Sequence, residues 1–122
     1  MNEIIFIDAY NVMRKLRSLE EHRFLSLMSM IPALSSYEVC VIFDGVSSPE
    51  KEWNSSLMEV LFSGPKKTAD TLIEERVYKE AHRERVVVVT DDRAVSNMIL
   101  GWGARVWSVS TFDTFLKGLS LK

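Results

Sequence analysis

Short apolar runs recur along the chain, separated by stretches in which apolar residues return every three or four positions. The runs are rich in β-branched residues and do not alternate with polar ones, which is typical of buried strands in a parallel sheet covered on both faces. They predict four strands and a weaker fifth. These are Ile4–Ile7, Val39–Phe43, Val86–Val89, Ala104–Val109 and, as the weaker candidate, Val60–Ser63.

The intervening stretches predict amphipathic helices. Apolar residues in Thr68–Glu84 share one helical face, which is expected to pack on a sheet. Leu19–Leu34 predicts a second helix, whose last turn is limited by Pro32, and Ala94–Leu100 a third. The last helix is predicted to start at a capping box, Ser110–Asp113. Strand followed by helix, repeated to the end, indicates an α/β fold with right-handed crossovers.

Length and composition restrict the class of protein. The 122 residues, 47% hydrophobic and 26% charged, predict a single globular domain over residues 1–122. Asp8 interrupts the first apolar run, whereas the apolar region of a signal peptide is uninterrupted. No run approaches the roughly 20 apolar residues of a membrane span. We therefore expect a cytoplasmic protein without membrane contact.

The reactive side chains are few. Cys40 is the single cysteine and excludes an internal disulfide, while His22 and His82 are the only histidines and have no zinc-site spacing. The net charge of −2 creates no general attraction for polyanions. Metal chemistry would therefore use oxygen ligands, and any nucleic-acid contact would be local.

The aspartates are placed unevenly. Five of the six fall where a predicted strand ends or a helix begins, and in a parallel sheet these positions meet at one edge: Asp8, Asp44, Asp70, Asp91 and Asp92. Each of these aspartates taken alone could be a helix cap or a turn residue. This explanation suits Asp8 least, because Asp8 ends a buried strand. Together they would raise one another's pKa values, a cost that a bound divalent cation removes. Oxygen ligands alone favour Mg²⁺ or Mn²⁺.

Such sites serve phosphate chemistry, because the metal activates water and stabilises the leaving oxygen. Basic residues nearby could hold phosphates beside the acids, or could be ordinary solvated side chains. They are Arg14, Lys15, Arg17, Lys66 and Lys67. Other motifs are missing: Lys66 stands where a phosphate-binding P-loop needs glycine, no G-x-G-x-x-G occurs, and no histidine is positioned to activate a serine or cysteine.

Four blocks in order, FIDAYN, VIFDG, TADTLIE and VVVVTDD, resemble the NYN domains of the PIN-like nuclease superfamily, and within it the YacP-like bacterial proteins. The resemblance implies a three-layer α/β/α fold with a mostly parallel five-stranded sheet of order 3-2-1-4-5. It also implies a Mg²⁺- or Mn²⁺-dependent nuclease that hydrolyses the phosphodiester bonds of RNA, and association with the ribosome. We expect an endoribonuclease acting on single-stranded RNA, with the choice between internal and terminal cleavage left open. Whether the domain forms a homodimer is left open.

The resemblance also assigns roles by position. Asp8 corresponds to the acid of the first-strand motif, with Asn11 beside it near the scissile phosphate. Asp92 corresponds to the acid of the fourth block, but Asp91 precedes it where serine is usual, so the choice between these neighbours stays open. The expected catalytic residues are Asp8, Asp44, Asp70 and Asp92. The expected metal ligands are Asp8, Asp70, Asp92 and Asp91. The expected substrate-binding residues are Asn11, Arg14, Lys15, Lys66 and Lys67.

Two other classes of function fit the same sequence. One is a catalytically silent PIN-like module that binds RNA or a partner protein. The other is a small-molecule phosphatase or nucleotide-binding α/β protein. Because all four family acids are present, the ribonuclease is the favoured prediction.

Overall fold

The structure is a computed structural model that describes residues 2–16, 20–46 and 53–121. The strands are β1 (Glu3–Asp8), β2 (Tyr37–Phe43), β3 (Met58–Phe62), β4 (Arg85–Val89) and β5 (Arg105–Trp107). The helices are α1 (Ala9–Lys15), α2 (Glu21–Ser29), α3 (Ile31–Leu34), α4 (Ala69–Lys79), α5 (Arg93–Leu100) and α6 (Val109–Gly118). None of these helices has the length and apolar character needed to cross a membrane.

The five strands form one sheet of order β3-β2-β1-β4-β5, in which every neighbouring pair is parallel. This confirms the predicted α/β fold and strand order. β1 is the central strand, with Ile5 paired to Val39 on one side and to Val87 on the other. The acid at its carboxyl end is therefore held at the middle of the sheet edge.

Helices cover both faces because every central strand is apolar on both sides. Ile5 and Ile7 belong to one core cluster, which contains buried residues of α1, α2, α3 and α6. Ile4 and Phe6 alternate with them and belong to the opposite cluster, formed with α4 and α5. The buried thiol of Cys40 lies in this second cluster, as expected for a small apolar residue.

Helix α1 was not predicted from the sequence. It is seven residues long and buries only Ala9 and Val12, too few positions to show a helical repeat. It begins directly after Asp8, so the chain passes from the central strand into a helix without a loop. The functional consequence is that Tyr10, Asn11 and Arg14 are fixed beside the end of β1.

Other boundaries differ from the prediction for local reasons. The helix predicted over Leu19–Leu34 is divided at Met30, because Pro32 has no N–H to continue the hydrogen bonding; residue 19 lies outside the described residues. The predicted start of the last helix at Ser110 is wrong. Ser108 is the N-cap, since its hydroxyl accepts from the backbone N–H of Thr111 at 3.1 Å.

Candidate acidic active site

Four of the five singled-out acids line one cleft at the carboxyl edge of the sheet. The cleft has a volume of about 300 Å³. Its acids come from four different places in the chain: the end of β1, the turn after β2, the first turn of α4 and the start of α5. They are Asp8, Asp44, Asp70 and Asp92. The remaining lining residues are Tyr10, Asn11, Arg14, Thr68 and Ala69.

Asp8 does not act as a helix cap. It occupies the N-cap position of α1, but its side chain makes no capping hydrogen bond. Instead its Oδ2 accepts a hydrogen bond of 3.2 Å from the hydroxyl of Thr90, at the end of the neighbouring β4. Thr90 is 1% exposed, and its hydroxyl also accepts from the backbone N–H of Asp92 at 3.1 Å. One buried hydroxyl thus joins two of the cleft acids.

The cleft acids perturb one another. Burial raises the pKa of Asp8 to about 6; the charges of Asp70 and Asp92 add to this rise, while the Thr90 hydrogen bond and Arg14 oppose it. The pKa of Asp70 is also raised, by burial first and then by the charges of Asp92 and Asp44. The fold therefore keeps like charges close together in a partly dry site, which is costly unless a cation or a proton joins them.

Two cleft acids also bind backbone N–H groups at helix starts. Asp44 Oδ1 accepts from the first residue of α4, Ala69, at 3.0 Å, and from the hydroxyl of Ser63 at 3.3 Å. Asp92 Oδ1 caps α5, accepting from Ala94 N at 2.8 Å and from Val95 N at 3.3 Å. Asp44 and Asp92 therefore fix the elements around the cleft as well as adding charge to it.

Asp91 points away from the cleft. Its Oδ1 accepts from the backbone N–H of Val109 at 2.9 Å, and its Oδ2 lies 3.6 Å from Nζ of Lys15. These contacts place it in a separate cavity beside Ser110. The backbone N–H of Asp91 donates to Asn11 Oδ1 at 2.9 Å, which holds the start of α1 against the loop after β4. The two neighbouring acids are thus separated by the structure, with only Asp92 in the cleft.

The basic residues predicted to bind substrate also lie at different places, and most of them are outside the cleft. Arg14 lines the cleft, whereas Lys15 lies beside Asp91 in the other cavity. Lys67 pairs with Glu75 at 2.8 Å, and Lys66 is exposed and is not among the cleft residues. Arg17 lies outside the described residues. One cation, Arg14, therefore faces four acids among the residues that line this cleft.

Three residues of the site were not among those predicted from the sequence: two hydroxyl residues that bond to the cleft acids, and the aromatic residue Tyr10. Thr90 and Ser63 each hydrogen-bond to a cleft acid. Thr90 stands directly after a predicted strand and before two acids, so its position alone could have identified it. Ser63 could not have been found in this way, because nothing in the sequence brings it to Asp44. Tyr10 lies between two of the singled-out residues, yet an exposed aromatic ring there has no periodic signal.

We expect Thr90→Val to raise the pKa of Asp8 above its present value of about 6, because the substitution removes a hydrogen bond to the carboxylate at nearly constant volume. It should also destabilise the protein by about 1–3 kcal/mol, since the Asp92 N–H loses its acceptor. The measurement is urea unfolding across pH 4 to 8. Thr90→Ser, which keeps the hydroxyl, is the control. An identical pH profile for both variants would contradict the role assigned to Thr90.

The donor chemistry of the cleft suits a hard divalent cation. Carboxylates with raised pKa values line it, and no cysteine or histidine does. Within the described residues, however, no group of three or more His, Cys, Asp or Glu side chains is arranged so that it could hold a metal ion. This is compatible with Mg²⁺, which keeps several waters and often takes only one or two carboxylates from the protein.

A larger groove of about 880 Å³ runs along α4. Two exposed aromatic residues, Tyr78 and Trp102, meet edge to face in it, with ring centroids 4.8 Å apart. The two carboxyl groups whose pKa values are raised, Asp8 and Asp70, line the acidic cleft and not this groove. The acidic cleft is therefore the candidate active site although the groove is larger, because carboxyl groups with raised pKa values lie in the cleft.

Comparisons with known proteins agree with the fold. Residues 5–120 match the family model of the YacP-like NYN domain. No curated protein sequence matches the chain. The crystal structure of Rae1 (YacP) from Bacillus subtilis is similar, with a TM-score of 0.72, 26% identity, and coverage of 97% of this chain and 75% of that one. That of its W164L mutant has a TM-score of 0.77 at 22% identity, with 97% and 76% coverage.

Proposed function

The chain belongs to the YacP-like NYN domain family, within the PIN-like nuclease superfamily, and from this premise we propose that it is a metal-dependent ribonuclease. Family membership supports ribonuclease function in general. The observation that carries the specific proposal is the convergence of four acids from separate elements on one cleft, two of them with raised pKa values. The reaction is the hydrolysis of RNA phosphodiester bonds at that cleft.

In this proposal, Asp8, Asp70 and Asp92 would hold Mg²⁺ or Mn²⁺. The metal supplies water activation and neutralisation of negative charge when bound. Asp91, a candidate ligand from the sequence, is left out because its side chain binds Val109 and Lys15 instead. The three cleft acids are the candidate metal ligands, because the fold holds their carboxylates close together despite their mutual repulsion.

The chain's own residues would position the substrate. Arg14 stands at the cleft, where its guanidinium can bind a phosphate oxygen and where it already lowers the pKa of Asp8. Asn11 uses its Oδ1 to accept from Asp91, so its amide NH₂ is the donor end available to a phosphate. Thr90 holds Asp8 Oδ2 in place, and Asp44 fixes the start of α4.

The finer expectations from the resemblance belong to the same proposal. Single-stranded RNA is the substrate class, and internal cleavage is the expected mode. Association with the ribosome stays a prediction, and formation of a homodimer stays open. Lys15, Lys66 and Lys67 do not line the cleft, so they could only contact RNA beyond it.

The test is cleavage of single-stranded RNA, labelled at one end, in Mn²⁺, in Mg²⁺ and in EDTA. We expect cutting with either metal and none in EDTA. Asp70→Asn, purified identically, should cut far less, because a cleft carboxylate is lost while the cap of α4 remains on Thr68. Internal products would indicate endonucleolytic action. Equal cutting in EDTA, or by the variant, would indicate a contaminating ribonuclease and contradict the proposal.

A second candidate, the catalytically silent RNA-binding module, is favoured by one observation. Asp44 and Asp92 are already bonded to backbone N–H groups, and the described residues contain no preformed group of three metal-binding side chains. Binding of the labelled RNA without cleavage in either metal would support this candidate over the nuclease.

A further inference from the structure

Tyr10 is an exposed aromatic residue on the wall of the acidic cleft. It lies in the first turn of α1, and 44% of its surface is accessible although it lines the same cavity as Asp8 and Asp44. A large aromatic ring is costly to leave in water at a site where a small polar residue would serve. The charge chemistry of the cleft does not use this ring.

The ring rests on a rigid aromatic support. It contacts Phe43 with ring centroids 5.2 Å apart and planes at 73°. Phe43 is fully buried at the end of β2, and it stacks on Phe62 at 5.1 Å and meets Phe24 edge to face at 6.5 Å. Because the support is buried, the orientation of Tyr10 is largely set before any ligand arrives, so little conformational entropy is lost on binding.

The surroundings of Tyr10 favour a neutral aromatic ligand. Burial, followed by the charges of Glu21 and Asp44, raises the pKa of its hydroxyl, which stays protonated at neutral pH. Nearby carboxylates repel free phosphate groups, but they do not oppose a nucleobase, which is uncharged and has an aromatic face. Stacking of a base on a tyrosine ring is tolerant of sequence and requires that the base be unpaired.

We propose that Tyr10 is a nucleobase-binding subsite, on which a base adjoining the bond to be cut stacks while its phosphate enters the acidic cleft. The inference rests on the proposed function, because it assumes that RNA occupies the cleft. It adds a reason for selecting single strands: in a duplex the base is already paired and stacked, and cannot reach the ring.

The experiment measures binding, so that it does not depend on cleavage. Fluorescence anisotropy in Mg²⁺ would compare a labelled oligouridine with an abasic oligonucleotide of the same length. The parent protein is Asp8→Asn, in which cleavage is expected to be roughly 100-fold slower or more, so that the RNA stays largely intact during the measurement. Tyr10→Phe keeps the ring, Tyr10→Leu keeps an apolar cover over Phe43, and Tyr10→Ala removes both. Tyr78→Ala is the matched control, since Tyr78 is an exposed tyrosine in the groove along α4.

We expect Tyr10→Ala and Tyr10→Leu to bind oligouridine roughly 5- to 100-fold more weakly than the parent. Tyr10→Phe and Tyr78→Ala should bind as the parent does, and the abasic oligonucleotide should be bound equally weakly by all proteins. Thermal melts would show that each variant is folded.

Three outcomes would overturn the subsite: no loss of binding in Tyr10→Ala, an equal loss for intact and abasic strands, or no binding of oligouridine by the parent. The proposed nuclease is judged separately, by wild-type cleavage. A protein that shows the expected binding pattern but never cuts RNA would retain the subsite and lose the nuclease.

Discussion

Replacing Asp8 with asparagine is expected to reduce RNA cleavage by roughly 100-fold or more while making the metal-free protein more stable at pH 7. The loss of activity follows from removing one carboxylate of the proposed metal site. The gain in stability follows from burial and crowding, which raise the pKa of Asp8 from 3.8 to about 6. Asparagine can still accept the hydrogen bond from Thr90, so the local structure should persist.

The sign of the pH effect follows from the direction of the shift. The folded protein binds the Asp8 proton more tightly than the unfolded chain does, because the folded-state pKa is the higher one. Wild-type stability should therefore fall as the pH rises from about 4 to above about 6, by about 3 kcal/mol from this group, and Asp8→Asn should lack this part of the decline.

The measurement is thermal or urea unfolding of both proteins across this pH range, without metal and with Mn²⁺. Mn²⁺ at about 100 times its Kd should stabilise the wild type by roughly 2.7 kcal/mol and the variant by much less. Parallel pH profiles would show that Asp8 is not the source of the destabilisation. An equal Mn²⁺ effect on both proteins would show that the metal is not bound through Asp8.

The second large effect is expected from comparing the adjacent acids. Asp92→Asn should lower cleavage by roughly 100-fold, because it removes a charge from the cleft, whereas Asp91→Asn should remain near wild type. Asparagine keeps an oxygen acceptor at both positions, so the cap of α5 and the bond to Val109 can both persist. The two variants therefore differ mainly in where a charge is lost.

Cleavage rates in Mn²⁺, together with melting curves, would decide this comparison. Asp91→Asn also loses its contact with Lys15, but this pair is 3.6 Å apart and the lysine side chain is 57% exposed, so little stability should depend on it. A larger loss of activity in Asp91→Asn than in Asp92→Asn would show that the side-chain arrangement of the loop after β4 changes when RNA or metal binds.

The crowded acids indicate a compromise between stability and function. Asp8 ends a strand whose other residues are almost all buried, and Asp70 lies in the first turn of a helix that Thr68 already caps. Neither carboxylate caps the helix beside it. Their raised pKa values show that each destabilises the fold when ionised, which is expected where charges are retained for binding or catalysis.

Much of this fold could be predicted from the sequence, because its central strands are unusually clear. Runs such as Val86–Val89 are apolar at every position, which only a sheet covered on both faces requires. The short helix α1 was missed because two buried residues show no period, and the start of α6 was misplaced because two serines near it can both form a cap. Such errors concern boundaries that local patterns do not distinguish.

The sequence by itself determined that acids would collect at one edge, since parallel strands with helical crossovers bring all their carboxyl ends together. Only the tertiary structure decided which acids face the cleft. Asp91 and Asp92 are adjacent in sequence, yet one binds the start of α6 and the other caps α5 and lines the cleft. The reason is physical: each carboxylate turns toward the backbone N–H groups within reach, and for Asp91 that group belongs to α6, which is distant in sequence, whereas Asp92 bonds N–H groups of the adjoining helix α5.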